Sequence, residues 1–177
     1  MMQRITTSRL TLRRLTSEDI HDIFEYSRDR SAVKFLNWGP HTKIVESKRY
    51  LDNVLYNYVQ KKPDNIVWGI ELSANDKLLG VIRAFNFSTV SSRVELSYII
   101  NPKYARKGFM SEALLAIMDH LFNSHSLNRI QAHCSTDNMA SFELLKSLGF
   151  KVEGCMKEYW NIKGILKDVY ILAKVKY

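Results

Sequence analysis

Two periodicities of apolar and polar residues alternate along the chain. Residues 8–15 alternate with a period of two, which is typical of a half-buried strand. In residues 110–121 the apolar side chains recur at spacings of three and four, which is typical of a helix with one wide apolar stripe. The expected elements are, in chain order, a strand at 8–15, a helix at 17–28 capped by Ser17, a helix at 42–60 capped by Thr42 and stopped at 62–65, strands at 66–72, 78–87 and 93–100, a helix at 110–121, a strand at 129–134, a helix at 138–148, and strands at 150–159 and 165–175.

The order of these elements predicts the fold class. Segments 73–77 and 88–92 are short and rich in turn-forming residues, so the three strands that they join are expected to form an antiparallel meander. Helices separate the later strands, and no linker, repeat or low-complexity tract interrupts the chain. The sequence therefore predicts an α+β fold in a single domain, residues 1–177, with a mixed, mostly antiparallel sheet flanked by helices.

The chain is basic but has no concentrated basic patch. It carries 26 Lys and Arg residues against 18 Asp and Glu, a formal charge of +8 and an isoelectric point near 9.5. Such a surface attracts nucleic acid, an acidic protein or a phosphorylated cofactor. Because the basic residues are spread out and not clustered with aromatic ones, we expect no direct nucleic-acid binding. No apolar run approaches the roughly 20 residues that cross a bilayer, and the first residues lack the apolar core of a signal peptide, so we expect a cytoplasmic protein without a membrane partner.

The two cysteines, Cys134 and Cys155, are too few for a disulfide framework and are expected to be reduced thiols. Neither has a second cysteine at CxxC spacing or a His, Asp or Glu cluster at ligand spacing, so we expect no metal site. No activating base is evident beside either residue, which argues against a covalent acyl-cysteine.

The segment with the most chemical content runs from residue 98 to residue 114. It predicts a strand, a tight basic turn and a helix start, so that several backbone N–H groups would point at one place together with the positive end of the helix. Gly108 would allow a pyrophosphate to approach closely, and Arg106 and Lys107 would add positive charge at the rim. On local features alone, the alternative is an ordinary connection with a solvated basic pair.

This segment resembles the acetyl-CoA motif of the GNAT superfamily of N-acetyltransferases, written Q/R-x-x-G-x-G/A. Gly108 is kept, whereas Ala105 stands at the Gln/Arg position, Arg106 where many members have glycine, and Met110 where glycine or alanine is usual. Four further segments resemble, in the same order, the ribosomal-protein-alanine acetyltransferase (RimJ/RimL-type) branch: its opening strand at 8–13, its substrate-side loop at 35–42, its second cofactor motif at 138–141 with 148–154, and its C-terminal hairpin at 163–170.

The resemblance implies a GNAT-like fold and a direct transfer of acetyl from acetyl-CoA to a primary amine, without an acetyl-enzyme and without a metal. It also implies that a backbone N–H around Ile99 or Ile100 stabilises the thioester oxyanion. The residues implied to bind the cofactor are Tyr98, Ile99, Ile100, Ala105, Arg106, Lys107, Gly108, Phe109, Met110, Ser111, Asn138 and Ser141.

The resemblance makes Glu95 the candidate catalytic base, because several family members carry a catalytic glutamate near the start of this strand. An α-amino group has a pKa of about 7.7–8.0, so a modest base suffices to deprotonate it. The alternative is an exposed strand carboxylate that pairs with Arg93 or Arg83.

Ser141 is the candidate catalytic acid that protonates the departing CoA thiolate. It stands three residues after Asn138 at a helix start, so the alternative is an N-cap followed by a serine in the first turn. Since many GNAT enzymes use a tyrosine for this step, Tyr159 or Tyr170 could substitute for Ser141.

Trp38 and His41 are expected to bind the acceptor amine, while Tyr50 and Tyr58 either join them or are partly buried in the core. The expected acceptor is a protein N-terminal amine, for example on an acidic ribosomal protein, which a charge of +8 would favour. A polyamine or an aminoglycoside-like amine is the alternative acceptor. A non-catalytic module that binds ribosome or RNA is the alternative from another class. A monomer or a homodimer is expected.

Overall fold

Eight strands form one continuous sheet in the computed structural model, which describes residues 3–60, 65–124 and 126–176. The strands are β1 (Ile5–Thr6), β2 (Leu10–Arg13), β3 (Asn65–Leu72), β4 (Lys77–Ser88), β5 (Arg93–Ile100), β6 (Arg129–Ser135), β7 (Lys151–Ile162) and β8 (Ile165–Val175). The helices are α1 (Ile20–Ser27), α2 (Ile44–Tyr58), α3 (Phe109–Ser124) and α4 (Met139–Ser147). The strand order is β1-β2-β3-β4-β5-β6-β8-β7, and neighbours are antiparallel except β5 and β6. The predicted α+β class with a mixed, mostly antiparallel sheet is confirmed.

The parallel pair of β5 and β6 requires a long crossover, because parallel neighbours cannot be joined by a tight turn. Helix α3 is that crossover, and its predicted apolar stripe, which includes Ala113, Leu114 and Ile117, is buried. The chain therefore runs from the end of β5 through one connecting segment directly into the start of α3. No helix among the described residues is long and apolar enough to cross a membrane.

Helices cover both faces of the sheet. Helices α3 and α4 pack on one face, over a core that includes Leu96 and Ile130. Helices α1 and α2 pack on the other face, over a smaller core that includes Leu51 and contacts Ile99. Because side chains alternate along a strand, Glu95 lies on the same face as Ile99. The sheet thus separates the face that α3 and α4 cover from the face on which Glu95 lies.

Strands β5 and β6 pair only along their first halves. Their register runs from Arg93 opposite Arg129 to Leu96 opposite Ala132. Beyond that point β5 remains paired with β4, and β6 remains paired with β8. A gap therefore opens beside residues 97–100, and the backbone on that side of β5 becomes available to a ligand.

The first two helices are capped by residues other than the predicted Ser17 and Thr42. Thr16 precedes a short 3₁₀ turn, and its N–H donates to the Asp19 carboxylate at 2.7 Å. At α2 the Glu46 carboxylate accepts two backbone N–H groups, at 2.7 and 2.9 Å, so the helix begins after Thr42. Both shifts have one cause: a carboxylate three residues into the helix satisfies the free N–H groups before it.

Two strand lengths also differ from the prediction. The first predicted strand is shorter than residues 8–15, since β2 spans only Leu10–Arg13. Strand β7 extends to Ile162, and the turn to β8 needs only Lys163 and Gly164, both with positive φ (54° and 87°). Of the predicted helix stop at residues 62–65, residues 62–64 lie outside the described residues, and Asn65 begins β3.

Candidate active site

A cleft opens where β5 separates from β6, between the start of α3 and the start of α4. Its volume is about 650 Å³. Of the predicted cofactor residues, Lys107 does not line it, and its ammonium lies instead 5.3 Å from the centre of the Tyr104 ring. The predicted residues that do line the cleft are Tyr98, Ile99, Ile100, Ala105, Arg106, Gly108, Phe109, Met110, Ser111, Asn138 and Ser141.

The turn between β5 and α3 contains two residues with positive φ, Arg106 (60°) and Gly108 (79°). Glycine adopts this conformation without steric cost, whereas an L side chain costs roughly 1–2 kcal/mol. Arg106 therefore occupies a strained position where many GNAT members have glycine. Gly108 adjoins the N-terminus of α3, where the first backbone N–H groups have no partner within the helix and are available to a ligand in the cleft.

Arg9 and Glu112 brace this turn from outside the cleft, and sequence analysis missed both. Arg9 Nη1 donates to the carbonyl of Lys107 at 3.0 Å, and the guanidinium lies 4.5 Å from the centre of the Phe109 ring. Glu112 accepts from Arg9 Nε at 2.7 Å and from Thr7 Oγ1 at 2.6 Å. Arg9 and Glu112 are 103 positions apart, so no local pattern could have paired them.

Glu112→Gln is expected to lower the free energy of unfolding by about 2 kcal/mol at pH 7. Burial raises the pKa of Glu112, but hydrogen bonds from Thr7 and Arg9 outweigh it and bring the pKa to about 2. Because this value lies below the ordinary 4.5, the stabilisation is complete above pH 4.5 and is lost as the pH falls through about 2. Urea unfolding at pH 7 and about pH 3 should show the two proteins converging in acid. An equal difference at both pH values would contradict the assignment.

Ser141 lies in the first turn of α4, beside a tyrosine of β5. Ser141 Oγ is 2.8 Å from the hydroxyl of Tyr98, and the Ser141 N–H donates to Asn138 Oδ1 at 3.3 Å. Asn138 is therefore the N-cap of α4, as predicted. Burial raises the pKa of Tyr98, so this hydroxyl stays protonated at neutral pH. The suggested substitutes Tyr159 and Tyr170 do not line the cleft, and the tyrosine that contacts Ser141 is Tyr98.

The two cysteines offer no nucleophile to the cleft. Burial raises the pKa of the Cys134 thiol to about 11, so it is protonated at neutral pH, and Cys155 is exposed. Within residues 3–60, 65–124 and 126–176, no three His, Cys, Asp or Glu side chains are grouped so that they could hold a metal ion.

A side pocket of about 370 Å³ lies behind the cleft, toward α1 and α2. Leu36, Tyr98 and Ile99 line both cavities, so the cleft and the side pocket meet at the end of β5. Tyr26 also lines the side pocket, and its hydroxyl is buried without a hydrogen-bond partner among the described residues. A ligand in the side pocket could thus reach the cleft at the position of Tyr98.

The predicted acceptor residues Trp38 and His41 form one wall of the side pocket. Their rings lie 4.9 Å apart, and His41 Nδ1 is 2.7 Å from Ser47 Oγ. Burial lowers the pKa of His41, so the ring is neutral at pH 7. Tyr50 also lines the side pocket, whereas Tyr58 donates its hydroxyl to a core carbonyl at 2.6 Å and does not.

Glu95 lies on the side-pocket face of the sheet, but it is only 8% exposed and lines neither the cleft nor the side pocket. His133 Nδ1 is 2.8 Å from one carboxylate oxygen, and Asn86 Nδ2 donates to the other at 3.2 Å. Burial raises the pKa of Glu95, but the hydrogen bond and charge of His133 outweigh it, so the pKa is lowered and the group is ionised. The alternative of an exposed pair with Arg93 or Arg83 is wrong. His133 is a further residue that sequence analysis missed.

Backbone N–H groups at the end of β5 face the gap beside β6. The N–H of Asn101 donates to the carbonyl of Leu79 on the β4 side, at 2.7 Å. Successive N–H groups of a strand point in opposite directions, so those of Tyr98 and Ile100 point away from β4. Of the two predicted oxyanion donors, Ile100 therefore has the appropriate orientation and Ile99 does not.

Comparison with known families identifies the class to which this fold and cleft belong. Residues 9–151 match the family described as acetyltransferase (GNAT) domain. The chain belongs to this GNAT acetyltransferase family, and the resemblance in the sequence is confirmed. It is therefore an acetyltransferase, and the alternative of a non-catalytic module is not supported.

Individual relatives align with nearly the whole length of this chain. The uncharacterized N-acetyltransferase p20 of Bacillus licheniformis is 30% identical over 175 residues, which cover 99% of this chain and 97% of p20. The ribosomal protein uS5-alanine N-acetyltransferase of Escherichia coli K12 is 29% identical and covers 96% of this chain and 89% of its own. A structure of RimL, a ribosomal L7/L12 α-N-protein acetyltransferase in complex with coenzyme A, superposes with a TM-score of 0.86 at 20% identity and covers 98% of each chain.

Proposed function

We propose that this protein transfers the acetyl group of acetyl-CoA directly to a primary amine, with the cofactor in the cleft and the amine in the side pocket. The observation that carries the proposal is the shared wall of Leu36, Tyr98 and Ile99 between the two cavities. A thioester at this wall is open to attack by an amine from the other side. Coenzyme A in the structurally similar RimL supports this use of the cleft.

The cleft matches an anionic cofactor with a long neutral arm. Its basic end combines the Arg106 side chain with the N-terminus of α3, where free N–H groups and the helix dipole favour a pyrophosphate. Asn138 and Ser141 line the other wall and can hydrogen-bond the amide arm. The N–H of Ile100 would stabilise the oxyanion that develops on the thioester.

The transfer forms a C–N bond and breaks a C–S bond. The amine must first lose a proton. Glu95 is ionised and held by His133 but lines neither cavity, so it would accept this proton through water. The departing thiolate needs a proton, which Ser141 can donate and then recover from solvent in the cleft, while the Tyr98 hydroxyl lies 2.8 Å from Ser141 Oγ. The two proton transfers would thus take place on opposite sides of β5.

We propose a protein α-amino group as the acceptor, such as a ribosomal protein N-terminus. The uS5-alanine acetyltransferase among the relatives supports this class. A spermidine N(1)-acetyltransferase of Escherichia coli K12 is also similar, at 22% identity over 86% of this chain, and supports a polyamine instead. None of the described residues that line the side pocket is an Asp or Glu, and a polyamine would need such partners. The pocket therefore favours an α-amine.

A panel of amines tests the proposed function. Purified protein and acetyl-CoA are incubated with N-terminal peptides, spermidine and an aminoglycoside, and release of CoA thiol is measured with mass analysis of the acceptor. We expect CoA release to match acetylation of peptide α-amines. Rapid acetylation of spermidine with inert peptides would favour the polyamine alternative, and no acetylated amine in any reaction would refute the proposal.

Glu95→Gln is expected to fold normally and to lose rate mainly below pH 8. At pH 7 an amine of pKa about 7.8 is roughly one-seventh neutral, so loss of the base should cost about five- to sevenfold in kcat/KM. Above pH 9 the amine is already neutral, and the two rates should converge. Asn86→Ala, which removes a weaker contact to the same carboxylate, is the control. Overlapping pH–rate profiles of Glu95→Gln and wild type would make Glu95 a bystander.

A further inference from the structure

Arg83 is the charged residue of the side pocket, and it has no acidic partner among the described residues. It is the only Lys, Arg, Asp or Glu among the described residues that line this pocket. No described carboxylate forms an ion pair with it, and the nearby Glu95 is already held by His133 and Asn86. Its charge is therefore available to a ligand.

The Arg83 side chain is held in place by uncharged groups. Its Nε donates to Asn65 Oδ1 at 2.7 Å, and its guanidinium carbon lies 4.4 Å from the centre of the Phe85 ring. Neither contact neutralises the charge, and neither uses the terminal Nη groups. Those groups are the ones that bind a carboxylate through two parallel hydrogen bonds.

The strand register gives the separation along the sheet between the backbone of Arg83 and the shared wall of the two cavities. Arg83 is directly opposite Ser97, and Val81 is opposite Ile99, which lies on the shared wall of the two cavities. The two levels are two residues apart, which corresponds to roughly 6–7 Å along the strand. In an extended peptide that separation is about the spacing between an α-amine and a group on the second residue.

We propose that Arg83 binds a carboxylate of the acceptor, located about one residue away from the reacting amine. This inference rests on the proposed function and narrows its acceptor to amines accompanied by a carboxylate. The source can be an acidic side chain on the second residue of a protein N-terminus or the C-terminal carboxylate of a dipeptide. Polyamines, which carry only positive charge near the amine, would be repelled by the same guanidinium.

A double comparison of acceptor and enzyme tests the inference. Two peptides that differ only in Asp or Asn at the second position, and a dipeptide with its C-terminal amide, are acetylated by wild type, Arg83→Gln and Arg14→Gln. Arg14 is the matched control because, like Arg83, it is exposed and its guanidinium lies over an aromatic ring, 5.1 Å from the Tyr58 ring centre, yet it lies outside the pocket.

We expect wild type to favour the Asp peptide over the Asn peptide by about tenfold in kcat/KM, and Arg83→Gln to lose that preference. Arg14→Gln should keep it. If the preference appears between the dipeptide and its amide instead, the carboxylate is the C-terminal one, and Arg83→Gln must again abolish it.

Equal rates for both members of each pair, or a preference that survives Arg83→Gln, would overturn the inference while acetylation itself still supports the proposed function. Absence of acetylation of any amine by wild type, with acetyl-CoA binding retained in calorimetry, would instead refute the proposed function and the inference with it.

Discussion

Ser141→Ala is expected to lower kcat about 100-fold while acetyl-CoA affinity stays within a factor of about two. A free cysteine thiol has a pKa near 8.5, so a thiol such as that of CoA can leave as a thiolate, but a positioned proton lowers the barrier. The N-terminus of α4 would still stabilise the developing negative charge, which is why activity is reduced and not abolished. Steady-state kinetics and calorimetry on the same preparation provide both numbers.

Tyr98→Phe distinguishes proton donation from packing at this position. It removes the hydroxyl 2.8 Å from Ser141 Oγ but retains the buried ring. We expect a smaller loss than for Ser141→Ala, because Ser141 keeps its own proton. Asn138 caps the helix by accepting from the Ser141 backbone N–H, which alanine retains, so we expect Ser141→Ala to keep its stability. The melting temperatures of both variants check this. A Ser141→Ala protein that melts earlier and retains full turnover would show that the serine is only structural.

Gly108→Val is expected to weaken acetyl-CoA binding by tenfold or more, that is by at least about 1.4 kcal/mol. A β-branched residue is strained at φ 79°, and its Cβ would lie 3.3 Å from Arg9 Nη2. The substitution therefore disturbs both the backbone that faces the cleft and the brace that holds it. Calorimetric titration with acetyl-CoA measures the loss.

Gly164→Val is the matched control for the strain itself. Gly164 has a φ of 87°, and no atom lies within 4 Å of the position that a Cβ would take. It lies in the β7–β8 turn, away from the cleft. We expect this variant to lose stability but to retain acetyl-CoA affinity. Unchanged affinity in Gly108→Val, or an equal loss in both variants, would contradict the placement of the cofactor at the β5–α3 turn.

Local patterns in the sequence predicted the helices and strands. They also predicted the cleft residues whose geometry is set by their neighbours in the sequence. Gly108 and Asn138 were predicted because a strand-turn-helix start and an N-cap are defined by residues adjacent in sequence. The meander and the stripe on α3 follow from periodicity in the same way. Each of these features depends on the backbone within about ten residues, where spacing determines geometry.

The residues that sequence analysis missed are paired across long separations. Arg9 and Glu112 are 103 positions apart, and Glu95 and His133 are 38 apart. These pairings depend on strand order and on which strands separate, and local periodicity encodes neither. Arg83 was considered only as a partner for Glu95, because nothing in the sequence indicates that Glu95 is held by His133.

Direct transfer across the shared wall is the central claim, and a single-turnover experiment tests it most directly. Protein in excess over acetyl-labelled acetyl-CoA is mixed with an acceptor peptide, quenched over time, and the label is measured on peptide and on protein. The account predicts that label passes to the peptide α-amine as CoA thiol appears, with no acetyl on the protein at any time. Acetyl bound to Cys134 or Cys155 that forms and decays at the rate of turnover would contradict it.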